Sequence, residues 1–179
     1  EALCANVAPS AQLAVALGIY SGLRKGEIMA LRVRDIDLEG RLIYVRHSRT
    51  KIYGSKPADV EKGTKTGEPR VVPLPMDAVK FIEPALLGKK PEDRLYEIWR
   101  QDLHHRLATA CKRLGLTRVG VHDLRHICAS RLMMSGGPAL AQAILGHQDV
   151  STTIATYGHL PPIYLASQIE TAVLKQETI

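Results

Sequence analysis

Residues 10–22, SAQLAVALGIYSG, are apolar on nearly every helical face. A helix without a polar side suits burial inside a shell of other elements. Ser10 stands where it can cap the start, and Gly22 where it can end the helix. No apolar run in the chain approaches the roughly 20 residues that span a bilayer, so this helix is read as core. The core must be aliphatic, because the aromatic residues are one Trp, one Phe and six Tyr among 179. A chain of that length can bury one real core, and residues 1–179 read as a single domain. Its first residues, EALCANVAPS, carry no initiator Met and no basic-then-apolar secretory layout, which suggests a fragment of a longer protein.

Downstream, RKGEIMALRVRDID reads as a short helix running into a turn. RLIYVRH (41–47) and PRVVPLP (69–75) read as strands, the second a small or edge strand because of its terminal prolines. Between them, SRTKIYGSKPADVEKGTKTGE is polar, with Gly54, Gly63 and Gly67 among Lys51, Lys56, Lys62 and Lys65. It is expected to be a long mobile excursion outside the core. Helices are expected from Met76 onward. One lies in YEIWRQDLHHRLATACKRLG, with Trp99, Leu103, Leu107, Ala110 and Leu114 on one face and Gly115 as its stop. Others begin at VHDLRHICASRL, at Pro138, after Ser151 and in PPIYLASQIETAVLKQ. The expected architecture is mainly α with a small antiparallel β-sheet, an α+β fold.

The formal charge of +6 and a pI near 9.3 suggest a polyanionic partner, though weakly. Cys4, Cys111 and Cys128 are odd in number and without framework spacing, so they read as idle thiols in a reducing cytoplasm.

VHDLRHICASRL (121–132) crowds two His, one Asp and two Arg into the first turns of a helix beside Leu124, Ile127, Cys128 and Leu132. His122 and His126 have the i,i+4 spacing of a zinc pair, but Asp123 suits the catalytic role poorly and no third ligand follows at the usual interval. His122 and Arg125, three apart, suit a phosphate better: a guanidinium fork beside an imidazole that titrates near neutrality. Arg24 follows Gly22 at a helix start, where anions are favoured, and Glu27 on the same turn can orient an Arg or His.

Taken in order, SGLRKGEIMAL, KTGEPRVVPL, HDLRH and LGHQDVSTTIATY resemble the motif series of the tyrosine recombinases, also called the phage integrase family. The resemblance runs from about Ala11 to Tyr157. It implies the catalytic fold of the DNA breaking-rejoining enzymes and site-specific recombination through a 3′-phosphotyrosyl intermediate. By the same resemblance Arg24 is the first catalytic Arg, with Glu27 in support. His122 and Arg125 form the H-x-x-R pair, His147 is the later His and Tyr157 the nucleophile. Lys65 matches the Lys of the hairpin between the second and third strands. Because the loop before it is long, Lys56 and Lys62 remain alternatives. Pro138 and Ala139 stand where the family has a polar residue. The resemblance implies no cofactor and no metal. The implied partner is double-stranded DNA, bound by a cytoplasmic tetramer on two duplexes, with residues 158–179 reaching a neighbour. The family's N-terminal clamping domain has no room before Arg24. The alternatives are a type IB topoisomerase-like enzyme and a DNA-binding module that does not cut.

Overall fold

The structure is a computed structural model that describes residues 2–52, 58–63, 69–96 and 100–146. Its elements run α1 (Ala2–Asn6), α2 (Pro9–Ser21), α3 (Lys25–Ala30), a 3₁₀ turn (Val33–Asp35), β1 (Ile36–Asp37) and β2 (Leu42–Val45). They continue with β3 (His47–Ile52), β4 (Ala58–Gly63), β5 (Arg70–Pro73), α4 (Met76–Leu86), α5 (Arg100–Arg113) and α6 (Val121–Leu145). Among the described residues no helix is long and apolar enough to cross a membrane.

Helix α2 is the axis. Leu13, Val15, Leu17 and Ile19 are buried on all its sides, and α1, α3, α4, α5 and α6 pack around it. Small residues let neighbours come close. A Cβ on Gly18 would sit 2.9 Å from the Cβ of Leu124, so α6 crosses α2 nearly backbone to backbone. Gly22 ends α2 in the left-handed conformation (φ 64°), the stop expected from the sequence. The start differs: Ala8 is the N-cap and Pro9 opens the first turn, so Ser10 lies inside the helix and does not cap it.

Strands β1, β2 and β5 form an antiparallel sheet in the order β1-β2-β5, with Ile43 opposite both Ile36 and Val72. Ile43, Val45 and Val72 face the core, while Val71 is half exposed on the other side, the alternation of a one-sided sheet.

The polar stretch after β2 departs from expectation. Residues 47–52 and 58–63, expected within a long mobile excursion, form a two-stranded antiparallel ladder, with Arg49 opposite Glu61. Polarity misled here because a ladder is held by backbone hydrogen bonds and needs little apolar burial. Two further contacts fix it. Strand β3 lies on α3 so closely that a Cβ on Gly26 would sit 2.5 Å from Ser48 Oγ. Glu61 accepts hydrogen bonds from Arg94 (2.6 Å) and Arg32 (3.4 Å). Burial would raise the Glu61 pKa, but these two cations outweigh it and hold the carboxyl below its usual range. Lys62 is on this ladder; Lys56 and Lys65 lie outside the described residues.

Helix α5 buries Leu103, Leu107 and Ala110, with Gly115 (φ 65°) just beyond its end; Trp99 lies outside the described residues. Helix α6 breaks at Gly137 (φ 73°), and Pro138 opens its second segment as expected. The two segments fold together over Ala129, Met133, Ala141 and Leu145. Cys4, Cys111 and Cys128 are free and buried. The helices expected after Ser151 lie outside the described residues.

Candidate active site

Two left-handed glycines, Gly22 ending α2 and Gly146 ending α6, bring three arginines to one junction. Neither position tolerates a side chain. A Cβ on Gly22 would meet Leu145 Cδ2 at 2.6 Å, and one on Gly146 would meet Arg70 Cδ at 2.7 Å.

Arg125 is the centre of the junction. Its helix face also carries the buried Leu124 and Cys128, and Arg125 itself is buried, at 4% exposure. Its guanidinium donates to Gly22 O (2.6 Å) and Leu145 O (2.8 Å). Both carbonyls sit at helix C-termini, where backbone acceptors lack intrahelical partners and a cation is favoured. Arg125 thus ties the end of α2 to the end of α6.

Arg24 is two residues beyond Gly22, at the N-cap of α3. The Glu27 carboxylate accepts from the Arg24 backbone N–H (2.7 Å) and from its guanidinium (3.0 Å). The start of this short helix is therefore satisfied by Glu27, and positive charge for an anion must come from side chains. Arg24 keeps 23% of its side chain exposed, whereas Glu27 keeps 1%.

Glu27 is held chiefly by Arg70, a residue of the KTGEPRVVPL motif for which the sequence offered no role. Arg70, the first residue of β5, donates through Nη1 (2.7 Å) and Nη2 (2.8 Å) to the two carboxylate oxygens. Burial alone would push the Glu27 carboxyl up. The Arg70 fork, followed by Arg24, overcomes this and holds it below the ordinary carboxylate range. The detectable signal was an Arg at the mouth of a strand otherwise apolar and Pro-flanked.

His122 is exposed on the first turn of α6, after an N-cap at Gly120 whose N–H donates to Asp123 (2.7 Å). Its ring meets His126 edge-on, 4.5 Å between centroids. Desolvation by the neighbouring protein, then the positive fields of His126, Arg125 and Arg24, lower its pKa against the opposing pull of Asp123. Among the described residues, no group of three or more His, Cys, Asp and Glu is arranged to hold a metal ion. Lys65, His147 and Tyr157 lie outside the described residues; His147 directly follows Gly146 in the chain.

Two guanidinium groups on one carboxylate, with a third held on two backbone carbonyls and an imidazole alongside, make a site suited to an anion with a proton acceptor beside it. The phage integrase family model matches residues 2–162 of this sequence. The chain belongs to the phage integrase family. Among its family relatives, the tyrosine recombinase XerA of Saccharolobus solfataricus is 31% identical over 150 residues, covering 83% of this chain and 45% of that protein. The tyrosine recombinase XerC of Pseudomonas aeruginosa is 32% identical over 162 residues, covering 85% and 48%. The chain thus spans about half the length of these family members. The fold agrees. The Tn1549 transposon integrase in complex with a circular intermediate DNA superimposes with a TM-score of 0.72 at 20% identity, covering 89% of this chain and 58% of that one. The catalytic domain of bacteriophage HP1 integrase gives 0.62 at 24% identity, covering 94% and 86%. The mainly α architecture with small antiparallel sheets is therefore that of integrase-family catalytic domains.

Proposed function

We propose that residues 1–179 form the catalytic domain of a site-specific DNA recombinase that cuts and rejoins strands through a 3′-phosphotyrosyl intermediate. One observation carries this reading. Arg24 and Arg125 meet at one glycine-lined junction beside His122, in a chain whose family match spans nearly its whole length.

In the proposed reaction the Tyr157 oxygen attacks the scissile phosphorus. The P–O bond to the tyrosine forms as the bond to the 5′-oxygen breaks. The phenolic proton passes to His122, and Lys65 protonates the leaving 5′-oxygen. Attack by another 5′-hydroxyl reverses the step and releases the tyrosine. The phosphodiester's energy is retained in the adduct, so no ATP is consumed. Negative charge on the phosphoryl oxygens is met by Arg24, Arg125 and His147, each such donor being worth roughly 3–4 kcal/mol. A tyrosine needs this help, because its ordinary pKa is near 10. The lowered pKa of His122 leaves it neutral at pH 7 and able to accept a proton.

The proposed partner is double-stranded DNA in the cytoplasm. Residues 158–179 are proposed to dock on a neighbouring protomer within a tetramer on two duplexes. The relatives' names, recombinase and integrase, support this reading over a topoisomerase-like one. A nicked duplex that loses its 5′-hydroxyl fragment after cleavage tests the proposal. The wild-type chain should form a denaturant-stable adduct, and Tyr157→Phe should bind the duplex without forming one. Mapping the adduct to Tyr164 or Tyr44 would refute the assignment.

A further inference from the structure

We propose that Arg70 is a positioning residue that keeps the Arg24 guanidinium available to the scissile phosphate by occupying Glu27. The inference rests on the recombinase reading and adds a residue to it.

The argument starts from a conflict. Glu27 is needed where it stands, because its carboxylate accepts the Arg24 backbone N–H and so fixes the turn that carries Arg24. A carboxylate buried to 1% exposure must also be neutralised. If Arg24 supplied all of that neutralisation, its guanidinium would be held on Glu27 and drawn away from any incoming phosphate. The geometry divides the work. Arg70 makes the two-pronged contact, at 2.7 and 2.8 Å to separate oxygens. Arg24 makes a single side-chain contact of 3.0 Å from one nitrogen. Exposure is divided the same way: the Arg70 side chain is 12% exposed and Arg24 23%. The better-paired, more buried arginine is the counter-ion, and the more exposed one can turn outward.

Arg70 also touches the other side of the junction. A Cβ on Gly146 would meet its Cδ at 2.7 Å and its Nε at 3.1 Å, so only glycine at 146 lets the arginine pass. The Arg70 Nε is buried without a hydrogen-bond partner among the described residues. One side chain thus joins β5 to the Arg24 turn and borders the residue before His147. Lysine cannot replace it, since a point charge lacks the fork that occupies both oxygens.

The test compares wild type, Arg70→Met, Glu27→Gln and the double variant, each read two ways. The first reading is single-turnover adduct formation on the nicked duplex. Arg70→Met should bind duplex normally yet slow adduct formation by about 10²-fold, the scale of a small misplacement at a reacting centre. Glu27→Gln removes the charge that captures Arg24, so the double variant should react faster than Arg70→Met alone. A purely structural Arg70 also leaves Glu27 unpaired and can be relieved by Glu27→Gln, so rotation of the Arg24 guanidinium is the readout that separates the two roles. Arg70→Lys should behave like Arg70→Met. The second reading needs no catalysis. The Glu27 carboxyl carbon and the Arg24 guanidinium are followed by NMR in the DNA-free protein. In Arg70→Met the Glu27 pKa should rise and rotation of the Arg24 guanidinium should slow as it takes over the carboxylate. Unchanged guanidinium rotation in Arg70→Met, or a double variant no faster than the single, overturns the inference. A wild type that forms no adduct overturns the recombinase reading instead, and the NMR result still decides whether Arg70 shields Arg24.

Discussion

Arg24 and Arg125 share a proposed task toward the phosphate, yet their surroundings predict unequal consequences for stability. Consider Arg125→Met, which keeps an aliphatic side chain but removes the guanidinium. Gly22 O and Leu145 O lose donors at 2.6 and 2.8 Å, in a place where Arg125 itself is 4% exposed. Each buried acceptor left unpaired costs roughly 1–3 kcal/mol. Removing a buried charge returns part of this, leaving a net loss of about 3 kcal/mol. For a domain of this size each kcal/mol moves the melting midpoint by about 2–4 °C, so the midpoint should fall by about 6–12 °C. Arg24→Met is different. Glu27 keeps its bonds from the Arg24 backbone N–H and from both prongs of Arg70. What is lost is one partly exposed ion pair, worth at most about 1 kcal/mol, or no more than about 4 °C. The assay is thermal unfolding of the DNA-free chain by circular dichroism. Adduct formation is measured in parallel, well below the lower midpoint. Both variants should lose cleavage, but Arg125→Met should lose the larger share of stability. Equal midpoints would refute the view that Arg125 clamps two helix ends.

Four further outcomes are expected. Gly22→Ala should destabilise the fold by about 1–2 kcal/mol for the left-handed backbone alone, and by more because its Cβ would strike Leu145; a melting midpoint equal to wild type would contradict the Gly22–Leu145 packing. The His122 ring in the DNA-free chain should titrate below 6.5, so that it is neutral at pH 7 and gains its proton only as the pH falls through that lowered value; NMR showing a midpoint above 6.5 would remove it as a resting base. Lys65→Ala should slow cleavage by roughly 10²–10⁴-fold, and a substrate with bridging 5′ sulfur, whose thiolate leaves unprotonated, should restore most of the rate without rescuing Arg125→Ala. Rescue seen instead with Lys56→Ala or Lys62→Ala would move the role to that lysine. Deleting Pro162 to Ile179 should reduce recombination more than single-strand cleavage, and equal losses would argue against docking on a neighbour.

Much of the frame is written locally in the chain. The all-apolar face of α2, the glycine stop at Gly22 and the break before Pro138 follow from preferences that act within a turn or two. The four motifs and their order point to the family, and the i,i+3 step from His122 to Arg125 puts both on one helix. The strands β3 and β4 were illegible from the residue pattern, although the resemblance implied a hairpin in this stretch, because polar strands held by backbone bonds and ion pairs leave no hydrophobic alternation to read. Tertiary structure alone decided the rest. Arg125 is drawn to a carbonyl 103 positions away, and Arg70 to a carboxylate 43 positions away. No local rule marks Arg125 as buried or Arg70 as mostly covered, since guanidinium groups ordinarily stay in water. Only when packing removes the solvent does each need a partner, and only then do the ends of α2 and α6, the turn of Glu27 and the start of β5 become one site.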